Sequence, residues 1–308
     1  MIRDYAVVLL NYKNAQVTLD CALSVLAQSP APRHLILCDN ASRDGSLEAI
    51  TSWAQPYAPW VTSRSALAAG DSCSTSPPPV IVVDNEDNLG YAGGNNVGIN
   101  LALALGCDHV WILNNDTIVQ PGAARYLLEH MQADPACGIC GALTRYLFDP
   151  QVVQCHGGGV YNKWLGTVAL QGEGERLPLD AARVPDNFRL DYVNGASVFV
   201  SRSFLETVGP MDERYFLYCE ELDWAYRARG LFALGYEPRA VVLHMEGLST
   251  GASKRRGLKR SLLSSLMLLR SKALLTVKFF PYALPSLFLA QLSIFVFRAL
   301  RSRLRSRQ

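Results

Sequence analysis

HVWILNND, residues His109 to Asp116, is an apolar run that breaks off into two asparagines and an aspartate. A run of this length, rich in β-branched and aromatic side chains, fits a strand buried on both faces. Two upstream stretches have the same form: Tyr5 to Leu10 runs into Asn11, and His34 to Cys38 runs into Asp39 and Asn40. Helical patterns separate the runs: one from Asn14, read as a cap, to about Leu26, one from Ser46 to Ala54 behind Gly45, and one from about Gly94 to Leu105. Val80 to Val83 supplies a further strand. Strands alternating with helices mark βαβ units and a mostly parallel central sheet flanked by helices, an α/β fold. In open α/β sheets ligands bind outside the carboxyl ends of the strands, so Asn11, Asp39, Asn40 and Asp116 are expected to converge on one crevice. Asn and Asp also make good turns after strands, which accounts for any one of these residues more easily than for all four.

The chain has 308 residues, 49% of them hydrophobic, enough for one large α/β domain plus an appendage. A formal charge of +2 gives no reason to expect nucleic acid, although the C-terminus is strongly basic. The apolar run Ala6 to Leu10 is too short for a secretory signal and polar Asn11, Lys13 and Asn14 follow at once, so the folded domain is expected to stay inside the cell. Gln55 to Pro79 is Ala-, Ser- and Pro-rich and ends in three prolines, which reads as a flexible insertion at 55–79. The eight cysteines lack a framework spacing and read as reduced thiols. Cys137, Cys140, Cys155 and His156 could make up four zinc ligands, but the adjacency of the last two is awkward for tetrahedral closure.

Asp116 sits at the end of a rigid strand, where a carboxylate suits Mg²⁺ or Mn²⁺ shared with substrate phosphates. His244 ends the run Ala240 to Leu243, and imidazole suits a Mn²⁺ site as a second ligand. Asn88 to Asn96, NLGYAGGNN, is a Gly-rich turn opening a helix, where backbone N–H groups and the helix dipole are placed to face a diphosphate or ribose. It has neither the GxGxxG of a dinucleotide fold nor the GK[ST] of a P-loop. Downstream, Glu220, Glu221 and Asp223 open a helix behind the aromatic run Tyr215 to Tyr218. Acids at a helix start favour the dipole, but three together can raise one another's pKa and poise a general base.

Together these motifs resemble the family 2 glycosyltransferases of the GT-A fold, particularly the rhamnosyltransferase-like branch. The resemblance runs from about Tyr5 to Thr250 through VVLLNY (Val7 to Tyr12), LCDNASRDGS (Leu37 to Ser46), NLGYAGGNN, WILNND (Trp111 to Asp116), VNGASVFVSR (Val193 to Arg202), YFLYCEELDWAYRARG (Tyr215 to Gly230) and VVLH (Val241 to His244). It implies transfer of a sugar from a nucleotide diphosphate donor to a glycan or lipid-linked acceptor in surface polysaccharide synthesis. The implied donor-side residues are Asn11, Tyr12, Asp39, Asn40, Asn88, Gly90, Gly93, Asn95 and Asn115. Gly195 and Ala196 would line the acceptor side, and Asp116 with His244 would hold the metal. The family's base is usually the second acid of a Glu-Asp pair. This chain carries Glu221 there, with Glu220 and Asp223 as reserves, and the longer glutamate matters because a base must lie within about 2.6–3.2 Å of the proton's donor. Gly247 to Gly251, with Lys254, Arg255 and Arg256, would close as a basic lid. A sugar nucleotidyltransferase and a catalytically silent scaffold are the competing readings. The first lacks its basic Gly-rich loop between Asn11 and Gln28, and Asp116, Glu221 and His244 speak against the second.

A catalytic domain at 1–255 is expected to give way to a helical tail at 256–308. Phe279 to Phe297 is apolar and free of charge and is followed by Arg298, Arg301, Arg303, Arg305 and Arg307. Pro281 and Pro285 argue against one straight span, so a monotopic anchor on anionic lipid at the cytoplasmic face is expected, with packing on a second subunit as the alternative.

Overall fold

The computed structural model describes residues 4–73, 76–245 and 261–293. Strands β1 (Tyr5–Asn11), β2 (His34–Asp39), β3 (Trp60–Ser63), β4 (Val80–Asp84) and β5 (His109–Asn114) lie side by side in the order β3-β4-β2-β1-β5, all parallel. Helices α1 (Ala15–Leu26), α2 (Ser46–Ala54), α3 (Arg64–Ala68) and α4 (Gly90–Ala104) lie between these strands in the chain. Alternate residues of β1 serve opposite faces: Tyr5, Val7 and Leu9 join α1 and α2 in one core, and Ala6 and Val8 join α4 in the other. Burial on both faces is why these strands read as unbroken apolar runs.

Beyond β5 the sheet is mixed rather than mostly parallel. The chain continues through β6 (Thr117–Val119), α5 (Ala123–Ala133), β7 (Cys137–Tyr146), β8 (Asp149–His156), β9 (Gly158–Asn162), β10 (Thr167–Leu170), β11 (Tyr192–Val193), β12 (Ser197–Ser201), α6 (Arg202–Val208), α7 (Glu220–Arg227), β13 (Ala233–His244) and α8 (Leu262–Phe279). The sheet order extends β5-β12-β7-β13-β6. Strand β12 runs antiparallel to β5 and β7, β13 parallel to β7, and β6 antiparallel to β13. Trp111 on β5 and Ser197 on β12 cement the change of direction, the indole Nε1 donating to the hydroxyl at 3.0 Å.

Three local expectations change. The 55–79 segment, expected as a flexible insertion, holds β3 as the edge strand, with Trp60 opposite Ile81, and then α3, capped by Ser63 Oγ accepting from Ala66 N at 3.2 Å. Four residues are too few for a period to show among Ala, Ser and Pro. Asn14 precedes α1 in a left-handed conformation and makes no side-chain cap. Helix α4 starts four residues before Gly94, so the Gly-rich motif is mostly helix. Its glycines serve packing: a Cβ at Gly98 would lie 2.6 Å from Val8 Cγ1 and 3.2 Å from Cys38 Sγ, and one at Gly94 2.6 Å from Leu10 Cδ1.

The disfavoured zinc alternative meets a geometric obstacle. His156 spends both ring nitrogens within the fold, Nδ1 with Tyr236 OH at 2.7 Å and Nε2 with Glu175 at 3.0 Å. Among the described residues no group of three or more His, Cys, Asp or Glu is arranged to hold a metal. In the tail, α8 stops at Phe279 and residues 284–293 are helical after a turn at Pro281, so the break at the prolines is real. Among the described residues no helix is long and apolar enough to cross a membrane. The basic lid residues and the terminal arginines lie outside the described residues.

Gly98→Val is expected to lower stability by about 1–3 kcal/mol through overpacking of α4 on β1, more than helix propensity returns. A urea titration reads this as a lower midpoint with an unchanged slope.

Candidate active site

The strand ends of the parallel half meet the start of α7 around a cavity of ≈ 320 Å³. Ten of the expected site residues line it: Tyr12, Asn40, Asn88, Gly90, Asn115, Gly195, Ala196, Glu220, Glu221 and His244. Pairing of β6 with β13 sets His244 opposite Thr117, which brings the neighbouring Asp116 against the imidazole, Oδ1 to Nε2 at 3.1 Å. His244 Nδ1 lies 2.8 Å from Gln154 Oε1. An amide oxygen only accepts, so Nδ1 carries a proton there, and Nε2 is the ring nitrogen that meets the Asp116 carboxylate. A carboxylate oxygen and an imidazole nitrogen brought together in this way fit a divalent cation once Nε2 is deprotonated, with water and substrate oxygens completing its shell.

On the other wall, α7 delivers two glutamates. A Cβ at position 195 would overlap Glu221 Oε1, so only glycine admits the carboxylate there. Burial raises the Glu221 pKa, while N–H groups of Glu221 and Gly195 pull it back. Glu220 is 3% exposed, and its Oε2 has no hydrogen-bond partner. Burial, then the charge of Glu221, pushes its pKa well above the ordinary range. The pair therefore divides its labour: Glu220 keeps its proton and Glu221, cradled by N–H donors, is the one that ionises.

The remaining expected residues stand back from the cavity. Asp39 accepts from Asn11 Nδ2 and Ser42 Oγ, each at 2.6 Å, and from Ser42 N at 3.0 Å. Asn11 in turn accepts from Thr18 Oγ1 at 2.6 Å, so these residues shape the loop after β2. Gly93 packs on Leu89 and Asn95 donates to Tyr91 O at 2.9 Å. Asp223 is fully buried and salt-bridged to Arg227 at 2.7 Å and Lys278 at 2.6 Å, a structural charge rather than a candidate base. Gly90, at φ 73°, makes room for protein rather than ligand: a Cβ there would overlap the Phe216 carbonyl oxygen.

Several lining residues escaped the sequence reading: Tyr91, Asn114, Gln154, Asn194 and Tyr218. Tyr91 and Tyr218 lie inside motifs that were read for their glycines and acids. Tyr91 OH donates to Gly195 O at 2.8 Å and so steadies the loop that cradles Glu221. Gln154 gives no local signal, because only the β7–β8 pairing carries it to His244. Asn40 is the hinge of the donor side, its Nδ2 donating to Asn88 Oδ1 at 3.0 Å and Gly90 O at 3.1 Å and its Oδ1 accepting from Leu89 N. A second recess, lined by Lys13, Ser42, Arg43 and Asp44, shares Tyr12 and Asn88 with the cavity.

Residues 6–154 match the family description "Glycosyl transferase family 2". The low-salt glycan biosynthesis hexosyltransferase Agl10 of Haloferax volcanii is 28% identical over 149 residues, 48% of this chain and 45% of that one. The N-acetylglucosaminyl-diphospho-decaprenol L-rhamnosyltransferase of Mycobacterium tuberculosis is 28% identical over 254 residues, 75% of this chain and 71% of that one. In shape the chain is similar to GalNAc-T7, solved with UDP, GalNAc and Mn²⁺, at a TM-score of 0.58 and 17% identity over 82% of this chain and 46% of that one. The chain thus spans about half the length of the first and third of these proteins. Over residues 6–154, just under half of the chain, the sequence thus matches the model of glycosyl transferase family 2, and the structure is a GT-A-like α/β fold.

Proposed function

We propose that the protein is an inverting glycosyltransferase of the rhamnosyltransferase-like branch, using Mg²⁺ or Mn²⁺ at the cytoplasmic face of the cell membrane. It would move a sugar from a nucleotide diphosphate donor to a hydroxyl of a glycan or lipid-linked acceptor in surface polysaccharide synthesis. The observation that carries the reading is that His244, in contact with Asp116 just behind the wall, and the Glu220–Glu221 pair border one cavity. Similarity to the mycobacterial rhamnosyltransferase favours rhamnose and a lipid diphosphate acceptor.

Glu221 is the general base. Its raised pKa makes it a stronger base than an exposed carboxylate, and the Gly195 N–H fixes its direction. Glu220, protonated and buried beside it, leaves Glu221 as the one negative charge of the pair. Asp116 and His244 hold the cation, which when bound offsets the charge growing on the leaving diphosphate. Asn40 and Asn88 shape the donor side, and Lys13 and Arg43 add positive charge beside it. Attack by the acceptor oxygen opposite the leaving group is one displacement, which inverts the anomeric centre.

Donor binding and slow donor hydrolysis across a panel of nucleotide sugars with Mn²⁺ test this. Asp116→Ala is expected to lose metal-dependent binding. Glu221→Gln should bind normally but turn over about 10²–10⁴-fold more slowly. Failure of every nucleotide sugar to bind with metal would sink the reading. Stability has a pH signature as well. Glu220 stays protonated in the folded chain, whereas the unfolded chain ionises it near pH 4.3, roughly the free glutamate value. Its favourable term is present below that pH and is lost as pH rises toward the folded pKa. Glu220→Gln removes that loss, so its urea midpoint should gain on wild type as pH rises above about 4.

A further inference from the structure

Helix α8 is amphipathic in reverse. Its buried residues are mostly small and hydroxylated, Ser264, Ser271 and Thr276 with Leu275, whereas Leu262, Leu263, Leu266, Leu269 and Val277 face outward, Leu262 79% exposed. A helix lying between a domain and water shows the opposite distribution. The helical stretch 284–293 adds exposed Phe288, Leu289 and Leu292, and the β9–β10 turn adds Trp164 and Leu165. The turn is bound to the second helical stretch. Trp164 packs edge-on against Tyr282 with ring centroids 5.6 Å apart, Lys163 Nζ donates to Tyr282 OH at 3.0 Å, and Gln291 Nε2 donates to Leu165 O at 3.1 Å. Of the twenty large apolar side chains exposed among the described residues, ten lie within 262–292 and two on this turn, a concentration that marks a docking surface rather than scatter.

The surrounding sequence names the occupant. Residues 247–308 contain thirteen of the chain's 29 basic residues and none of its 27 acidic ones, with clusters directly before α8 (Lys254 to Arg260) and after the second apolar stretch (Arg298 to Arg307). An apolar face flanked along the chain by one sign of charge suits anionic lipid, whereas pairing with a second copy would bring like charges together. We infer that α8, the 284–293 stretch and the Trp164 turn form one surface that docks in the interface of an anionic bilayer without crossing it.

The opposite side of α8 holds the cavity wall. Ser264 Oγ and Tyr218 OH are 2.6 Å apart, and Ser271 Oγ donates to Leu217 O at 2.9 Å, with Leu217 and Tyr218 lining the cavity. The bilayer surface would then lie about one helix diameter, ~10 Å, behind that wall, where a lipid-linked acceptor presents its hydroxyl. This last step rests on the acceptor class proposed above; the docking itself does not.

Flotation of the full chain with phosphatidylcholine vesicles, with and without phosphatidylglycerol, tests the surface. Wild type should float with the anionic vesicles alone. The variant Leu262→Gln/Leu263→Gln/Leu266→Gln/Leu269→Gln should bind at least about tenfold more weakly with an unchanged melting temperature. If that variant misfolds, Phe288→Gln/Leu289→Gln/Leu292→Gln provides the same comparison. Wild type that ignores anionic vesicles, folded variants that float like wild type, or a lipid-free dimer that the substitutions dissociate would each overturn the inference. A chain that hydrolyses a nucleotide sugar yet ignores vesicles loses only the docking surface. One that floats yet binds no nucleotide sugar loses only the proposed activity.

Discussion

Everything on the acidic wall of the cavity depends on one steric fact, the absence of a side chain at position 195. Glu221 occupies that space, and it reaches it from a segment with unusual backbone: Tyr218 and Cys219 both lie at positive φ, 72° and 69°. Each such non-glycine residue costs on the order of 1–3 kcal/mol and persists only when its surroundings over-determine it. They do so here. Gly90 gives way to the Phe216 carbonyl, which accepts from Tyr91 N at 2.7 Å. Ser271 holds the Leu217 carbonyl, and Asp223 is clamped between Arg227 and Lys278. The strain is spread over contacts from α4 and α8 and leaves the two carboxyl groups at fixed positions.

The donor wall is built differently, from amides in hydrogen-bonded chains rather than from strained backbone. Asn11, Asp39, Ser42 and Thr18 close one network behind the β1 and β2 tips, and Asn40, Asn85 and Asn88 close another. Buried amides with most of their groups paired are rigid because each lost bond would leave a desolvated polar atom. The exceptions are Asn85 Oδ1 and Asn95 Oδ1, which have no hydrogen-bond partner.

Four of the five parallel strands were legible because they are continuous apolar runs that stop at Asn or Asp, a signal contained within ten residues, which the edge strand β3 (Trp60–Ser63) lacks. The mixed half was not, because the directions of β12 and β13 follow from contacts between distant segments. The same distinction separates the site residues. Asp116, His244, Glu220 and Glu221 lie at element ends, where local pattern points to them. Asp223 looked equivalent to its neighbours, and its ion pairs with Arg227 and with Lys278, 55 positions downstream, make it structural. Glycines misled most: NLGYAGG reads as a ligand-facing turn, whereas its Gly90 and Gly94 make room for Phe216 and Leu10. Adjacency in the chain cannot distinguish those two needs.

The Lys278 clamp also bears on how the chain divides. Asp223 has no exposed surface, and one of its two cationic partners comes from α8. A polypeptide ending before Leu262 would keep every residue proposed for chemistry and yet leave that carboxylate half-neutralised in the interior, next to the helix bearing Glu220 and Glu221. Uncompensated buried charge is among the costliest defects a fold can carry. The C-terminal helix is therefore no detachable module: evolution could exchange or trim it only together with position 223.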